Sequence, residues 1–156
     1  TDYMPDLDRG SVDPFVTSAQ WSRRFIGLKL FMAVAALGET GYAEMIDHQA
    51  RLGVYMRRRL SDAGWRHVSE SPFPVCCVSH PDFERAPDAL DRTLELVLER
   101  ARVWISKVRV GGTNALRACI TSRLSTEGDV DALVDELGLA VAAVRGSVSP
   151  PPGDTA

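Results

Sequence analysis

Side chains able to act as acid, base, nucleophile or metal ligand are few in this chain of 156 residues, and most stand apart. His48, His67 and His80 fall in three different segments with no ligand spacing such as CxxC or HxxxH, so no metal site is expected. Cys76 and Cys77 are neighbours in an apolar run that reads as a strand, where adjacent side chains point to opposite faces. They and Cys119 read as buried structural thiols, and three cysteines do not make a disulfide framework. No GxSxG or comparable nucleophile motif occurs. Gly111-Gly112 lies between two β-rich runs with no helix directly after it, which suits a hairpin turn better than a phosphate loop. The 18 basic residues include only two lysines, Lys29 and Lys107, so any lysine-dependent chemistry has two candidates. One segment stands out. Trp21-Ser22-Arg23-Arg24-Phe25 places two arginines at the head of an apolar helix, where the helix dipole disfavours positive charge. An anionic partner is needed there, and Asp8 or Asp13 of the preceding residues would serve.

The elements that must position these residues follow from composition and period. Hydrophobic residues make up 45% and charged residues 25%, the balance of a folded globule rather than a disordered chain. A formal charge of -3 argues against a nucleic-acid partner. The longest strongly apolar stretch, Leu30 to Leu37, is well short of the roughly 20 residues a membrane span needs. With no signal-peptide pattern and no disulfide framework, the expected setting is cytoplasmic. The absence of an initiator Met allows that the chain was cut from something longer.

Residues 1–21, with Pro5, Gly10 and Pro14 among several acids, read as an extended arm. Residues 22–38 form a helix that is apolar almost all round, through Phe25, Ile26, Leu28, Leu30, Phe31, Met32, Val34 and Leu37, and such a helix normally lies covered. Gly38 interrupts it. A second helix runs to about Ala63 with Tyr42, Met45, Ile46, Leu52, Met56 and Leu60 on its apolar positions, and Gly64 ends it. Arg57-Arg58-Arg59 complement the dipole at that end; three successive residues point around a helix and make no single phosphate-binding surface. Two short strands follow, Trp65–Val68 and Val75–Ser79, then a helix from Pro87 with a stripe of Leu90, Leu94, Val97, Leu98 and Ala101. Val103–Val110 and Asn114–Thr121 read as a hairpin. Thr126 and Asp129 match a capping box for a last helix that buries Val130, Leu133, Val134, Leu137, Val141 and Val144 and stops at Gly146. Residues 147–156, with Pro150-Pro151-Pro152, read as a disordered tail. The order β-β-α-β-β-α after two helices predicts an α+β domain over 39–146, with an antiparallel sheet of about four strands and helices on one face.

The segment SRRFIGLKLFMAVAALG, Ser22 to Gly38, resembles the SRRF-x-x-LK-L/V-W segment of the pyridoxal-phosphate-dependent group II amino-acid decarboxylases. The likeness continues through Gly41-Tyr42. It resumes at Asn114-Ala115-Leu116-Arg117-Ala118-Cys119-Ile120-Thr121-Ser122-Arg123, similar to the family's LRF-x-x-x-S strand, and at Asp129-Val130 of the last helix. It spans about Ser22 to Val144 in colinear order. The first motif is fairly specific, and the later ones are useful only together.

The resemblance implies the C-terminal part of a decarboxylase (carboxy-lyase) of amino-acid, hence carboxylic acid, metabolism, with the small-domain fold of fold-type-I pyridoxal-phosphate enzymes. The cofactor would be bound by an upstream domain, through a lysine that follows a histidine. Neither Lys29, in Leu28-Lys29-Leu30, nor Lys107, in Ser106-Lys107-Val108, follows one, so this chain is expected to bind no cofactor covalently and to be inactive alone. The family analogy assigns Ser22 to the substrate side-chain pocket, although serine there is equally an N-cap. Arg23 and Arg24 match the motif and otherwise pair and pack at the domain junction. Tyr3 stands where the family's proton-donating loop tyrosine would fall, in an arm that otherwise matches poorly. The expected partners are the upstream domain of the same enzyme and a second copy, met through the 25–37 helix in a homodimer or other self-association. The alternative is a stand-alone, non-catalytic interaction module derived from the same fold.

Overall fold

The computed structural model of the chain describes residues 25–86 and 88–147. These divide into two compact units, one ending at Tyr42 and the other beginning at Ala43. A single helical element, α1 (Ile26–Asp62), runs through both and is broken at Gly38, whose φ of 68° and ψ of 174° lie outside any helix. Only glycine adopts that backbone region without strain, so the break expected at Gly38 is there and has a steric cause.

In the first unit, α1 carries its apolar residues outward on nearly every side. Phe25 is 77% exposed and Phe31 69%, with Ile26, Leu28, Leu30, Met32 and Val34 also exposed. Sequence periodicity anticipates a covered helix, whereas this one is bare among the described residues.

The second unit is a four-stranded antiparallel sheet with helices. After α1 come β1 (Arg66–His67), β2 (Val75–Ser79), the short α2 (Asp82–Arg85), α3 (Ala89–Arg100), β3 (Ser106–Val110), β4 (Thr113–Cys119) and α4 (Glu127–Ser147). The strand order is β1-β2-β4-β3. The expected fold class is therefore borne out. Strand alternation divides the side chains cleanly. Cys76, Val78, Leu116 and Ala118 join one core with Met56 and Leu60 of α1, Leu90 and Val97 of α3, and Val130, Leu133, Leu137 and Val141 of α4. All three long helices thus contribute to one face of the sheet. The intervening residues, among them Cys77, Ala115 and Arg117, belong to the opposite face.

Local chemistry explains the boundaries. Val110 pairs with Thr113 across Gly111 and Gly112, whose positive φ values of 55° and 85° are those a two-residue hairpin turn demands. The capping box forms: the Asp129 carboxylate accepts from the Thr126 backbone N–H at 2.7 Å, and the Asp129 N–H donates back to Thr126 Oγ1 at 3.4 Å. The six residues expected to face the core from α4 are all buried. The α3 stripe needs correction. Leu90, Thr93 and Val97 form the buried stripe, which leaves Leu98 exposed, and Ala101 is the exposed left-handed C-cap past the helix end. The helix α2 was not foreseen; four residues after a proline carry too little period to announce themselves.

Candidate functional site

Tyr3, Ser22, Arg23 and Arg24, the residues to which the family analogy assigns roles, lie outside the described residues, as do the 1–21 arm and all but Ser147 of the 147–156 tail. Phe25 to Leu37 of the same motif are described, and they present an apolar surface with Lys29 exposed among them.

The second lysine is committed elsewhere. Lys107 Nζ donates to both carboxylate oxygens of Asp91 at 2.7 and 2.8 Å. A Schiff-base lysine must present an uncharged amine to a carbonyl, usually in a desolvated pocket. An exposed lysine on an apolar helix and an exposed lysine paired to a carboxylate do not meet that need. Neither described lysine therefore fits a covalent link to pyridoxal phosphate.

Three groups of polar side chains in the second unit bear on its packing. The first ties α1 to α4: Asp131 accepts from Arg59 Nε at 2.7 Å and from the Tyr55 hydroxyl at 3.0 Å. These donors, Arg59 foremost, hold the Asp131 carboxyl below the usual range, while the bond to Asp131 raises Tyr55. His48 Nε2 meets the Ser125 carbonyl at 2.8 Å on the same side. The Arg57-Arg58-Arg59 run disperses accordingly. Arg57 donates to the Phe73 carbonyl, Arg58 lies 5.4 Å over the Tyr55 ring and Arg59 takes Asp131.

The second group surrounds Glu136, whose side chain is only 3% exposed and receives Arg100 at 3.3 Å and Arg102 at 3.0 Å. Sequence reasoning missed it, since a glutamate inside an apolar helix reads as a surface residue. The signal was available in two arginines, Arg100 at the end of α3 and Arg102 just beyond it.

The third is a pair on the sheet. Ser106 and Arg117 are cross-strand partners on β3 and β4. Ser106 Oγ and Arg117 Nε are both buried and lack a hydrogen-bond partner, as do His67 Nδ1 and Thr93 Oγ1.

The cysteines need one correction. Cys76 and Cys77 are buried on opposite faces, and burial pushes the Cys76 thiol up to about 11. Cys119, expected to be buried, is exposed; it ends β4 on the face away from the core and has no strand residue beyond it for cover. It borders a cleft of about 250 Å³ with Met56, Trp104, Ile120 and Asp129. No group of His, Cys, Asp and Glu among the described residues could hold a metal ion, and no described helix is long and apolar enough to cross a membrane.

This fold, a four-stranded antiparallel sheet with helices on one face preceded by a broken helix, is that of the C-terminal part of fold-type-I pyridoxal-phosphate decarboxylases. No family model matches the chain, and no curated protein matches it. Solved structures do. The chain is similar to Oryza sativa TDC, solved with PLP and tryptamine, at a TM-score of 0.70 and 22% identity, over 86% of this chain and 30% of that one. It is similar to Catharanthus roseus tryptophan decarboxylase at 0.66 and 22%, over 78% and 27%. It is similar to Rhodiola rosea 4-hydroxyphenylacetaldehyde synthase at 0.67 and 23%, over 90% and 30%. The chain thus spans about 30% of the length of such solved chains.

Proposed function

We propose that this chain is the C-terminal domain of a pyridoxal-phosphate-dependent amino-acid decarboxylase and does not decarboxylate alone. The observation that carries the reading is the fold match over 86% of this chain against 30% of Oryza sativa TDC, with both lysines in surroundings unsuited to an internal aldimine. When bound in the whole enzyme, the cofactor would supply the electron sink for loss of the carboxylate. This chain's contribution is structural and positional. Ser22 lines the substrate side-chain pocket, Arg23 and Arg24 pair at the domain junction, and Tyr3 supplies the proton donor. The substrate class is an amino acid.

The bare 25–37 surface supports the partners. In the enzyme it is covered by the upstream domain and contributes to a homodimer, in a cytoplasmic setting; a large exposed apolar patch usually marks such an interface. In isolation the chain is expected to self-associate through it. Light scattering should show mass rising with concentration, and Phe25→Glu with Phe31→Glu should restore a monomer. A monomeric wild-type chain at high concentration would favour the stand-alone module.

Activity is tested by joining the chain to its own upstream coding sequence and measuring carbon dioxide release with pyridoxal phosphate. Turnover by the joined protein and none by the 156-residue chain is the expected result. Borohydride trapping of the cofactor on Lys29 or Lys107 would overturn it. In the joined protein, Tyr3→Phe should lower turnover or divert the product from the amine; unchanged turnover and unchanged amine would sink that role.

A further inference from the structure

The loop that joins β1 to β2 borders an open cleft of about 540 Å³ beside α1, lined by Arg57, His67, Ser69, Glu70, Ser71 and Pro72. The cleft lies wholly within the second unit, and its walls are tied to one another. His67 Nε2 meets the Arg57 carbonyl at 3.1 Å and Ser61 Oγ at 3.2 Å, which fastens β1 to α1. Arg57 Nη1 donates to the Phe73 carbonyl at 3.1 Å, and Ser71 Oγ accepts from the Phe73 N–H at 3.2 Å. Two charges on this frame are left over. The guanidinium of Arg57 has five N–H donors, and the backbone carbonyl that takes one of them carries no charge. The Cys76 thiol, which Arg57 also approaches, stays protonated because burial holds its pKa at about 11. Glu70 is exposed at the loop. Among the described residues neither Arg57 nor Glu70 joins an ion pair, with each other or with a third group, although both line one cleft. A lone oxyanion there would satisfy Arg57 and be repelled by Glu70, and a lone amine would meet the reverse. A zwitterion with its two charges a few bonds apart satisfies both, and the Ser69 and Ser71 hydroxyls stand beside it to complete its hydrogen bonds.

We propose that this cleft binds a small free α-amino acid as its zwitterion, with the ligand's carboxylate on the Arg57 guanidinium and its ammonium on the Glu70 carboxylate. Charge complementarity selects the ligand, because the cleft presents one cation and one anion that do not neutralise each other. The bound molecule bridges the β1–β2 loop to α1. The site stands on this chain's own residues and holds whether or not the decarboxylase reading does.

Saturation-transfer NMR on the 156-residue chain tests this, since it reads weak ligands and does not require a monomer. Each freely soluble proteinogenic amino acid is offered in turn at about 20 mM, well above the dissociation constant on the order of 1 mM expected for two solvent-accessible charged contacts. At least one should take up saturation and titrate to a plateau. Its N-acetyl form, which lacks the ammonium, and its primary amide, which lacks the carboxylate, should each bind at least about fivefold more weakly, the ratio for one partly exposed ion pair. Glu70→Gln should weaken the amino acid by the same ratio and leave the N-acetyl form unaffected, whereas Arg57→Gln should weaken the amino acid and spare the amide. Arg57 also holds the Phe73 carbonyl, so its variant can loosen the loop; Glu70 is exposed, and its variant keeps the fold. Three results overturn the proposal: no saturable binding by any amino acid, equal binding by the N-acetyl form, or unchanged affinity in Glu70→Gln. Phosphorus NMR with inorganic phosphate supplies the other arm. Phosphate binding that is lost in Arg57→Gln, with no amino acid bound, marks a plain oxyanion site and overturns it as well.

Discussion

Gly53 offers a decisive test of how the helix face is packed. It lies buried within α1, where alanine would ordinarily stabilise the helix by about 1 kcal/mol. A Cβ at this position would meet Pro74 Cα at 2.8 Å and Pro74 Cβ at 3.1 Å. Ordinary carbon contacts sit at about 3.5–4.0 Å, so the helix or the Pro74 backbone must move by roughly 0.7 Å. Pro74 is poorly placed to yield. Its carbonyl accepts from the Ile120 N–H at 2.9 Å, and the preceding Phe73 carbonyl accepts from Arg57 Nη1 at 3.1 Å. Forcing extra volume into such a site costs about 1–3 kcal/mol, which offsets or exceeds the propensity gain. Gly138, exposed in α4 with nothing within 4 Å of its would-be Cβ, carries the same propensity term and no clash. The difference between Gly138→Ala and Gly53→Ala therefore isolates the contact at about 1–3 kcal/mol. Urea unfolding of both variants against the parent chain measures it, with Gly138→Ala stabilised and Gly53→Ala not. Equal stabilisation of the two would refute the close approach of α1 to Pro74.

Four further outcomes are expected. Replacing Arg100 and Arg102 together by Met should destabilise by about 2–4 kcal/mol, since Glu136 would be left buried and unpaired, and adding Glu136→Met should recover most of that loss. Denaturant unfolding of the double and triple variants checks it, and no recovery in the triple would count against the buried charge. The folded-state pKa of Asp131 is depressed, so its contribution is present above the unfolded carboxylate value and lost as pH falls through the folded one. The stability gap between the parent and Asp131→Asn should accordingly be open at neutral pH and close on acidification. Thiol labelling without denaturant should modify Cys119 quickly, while Cys76, buried with a thiol near 11, reacts only after unfolding. Gly38→Ala should unfavourably strain the break in α1, because an L side chain rarely adopts its φ of 68°, and a lower melting temperature tests this.

The parts of the fold legible in the sequence are those where one local rule decides. Gly111-Gly112 can serve only as a turn once β-rich runs flank it, and Thr126 with Asp129 closes a cap within four residues. The period of α4 is regular enough to name every buried apolar residue expected of it. Where tertiary contacts decide, the sequence is silent or misleads. Leu98 fits the α3 stripe as well as Val97 does, yet Thr93 occupies the inward place. Cys119 looks like its neighbours in composition and differs only in ending the strand. Glu136 is buried because Arg100 at the end of α3 and Arg102 just past it reach it.

The two features that set this chain apart from a self-sufficient domain have the same physical form. A domain selected to stand alone buries its large apolar side chains and pairs its buried donors, since each exception costs stability out of a small total. Here Phe25, Ile26, Phe31 and Met32 are each at least 60% exposed along one helix. Arg117 Nε and Ser106 Oγ are buried on the uncommitted sheet face without acceptors. Both costs vanish if apolar surface covers the helix and a carboxylate reaches the sheet. The 25–37 helix and the sheet face at Arg117 are thus the two surfaces that most need cover. Each holds residues whose energetics are incomplete in this chain alone.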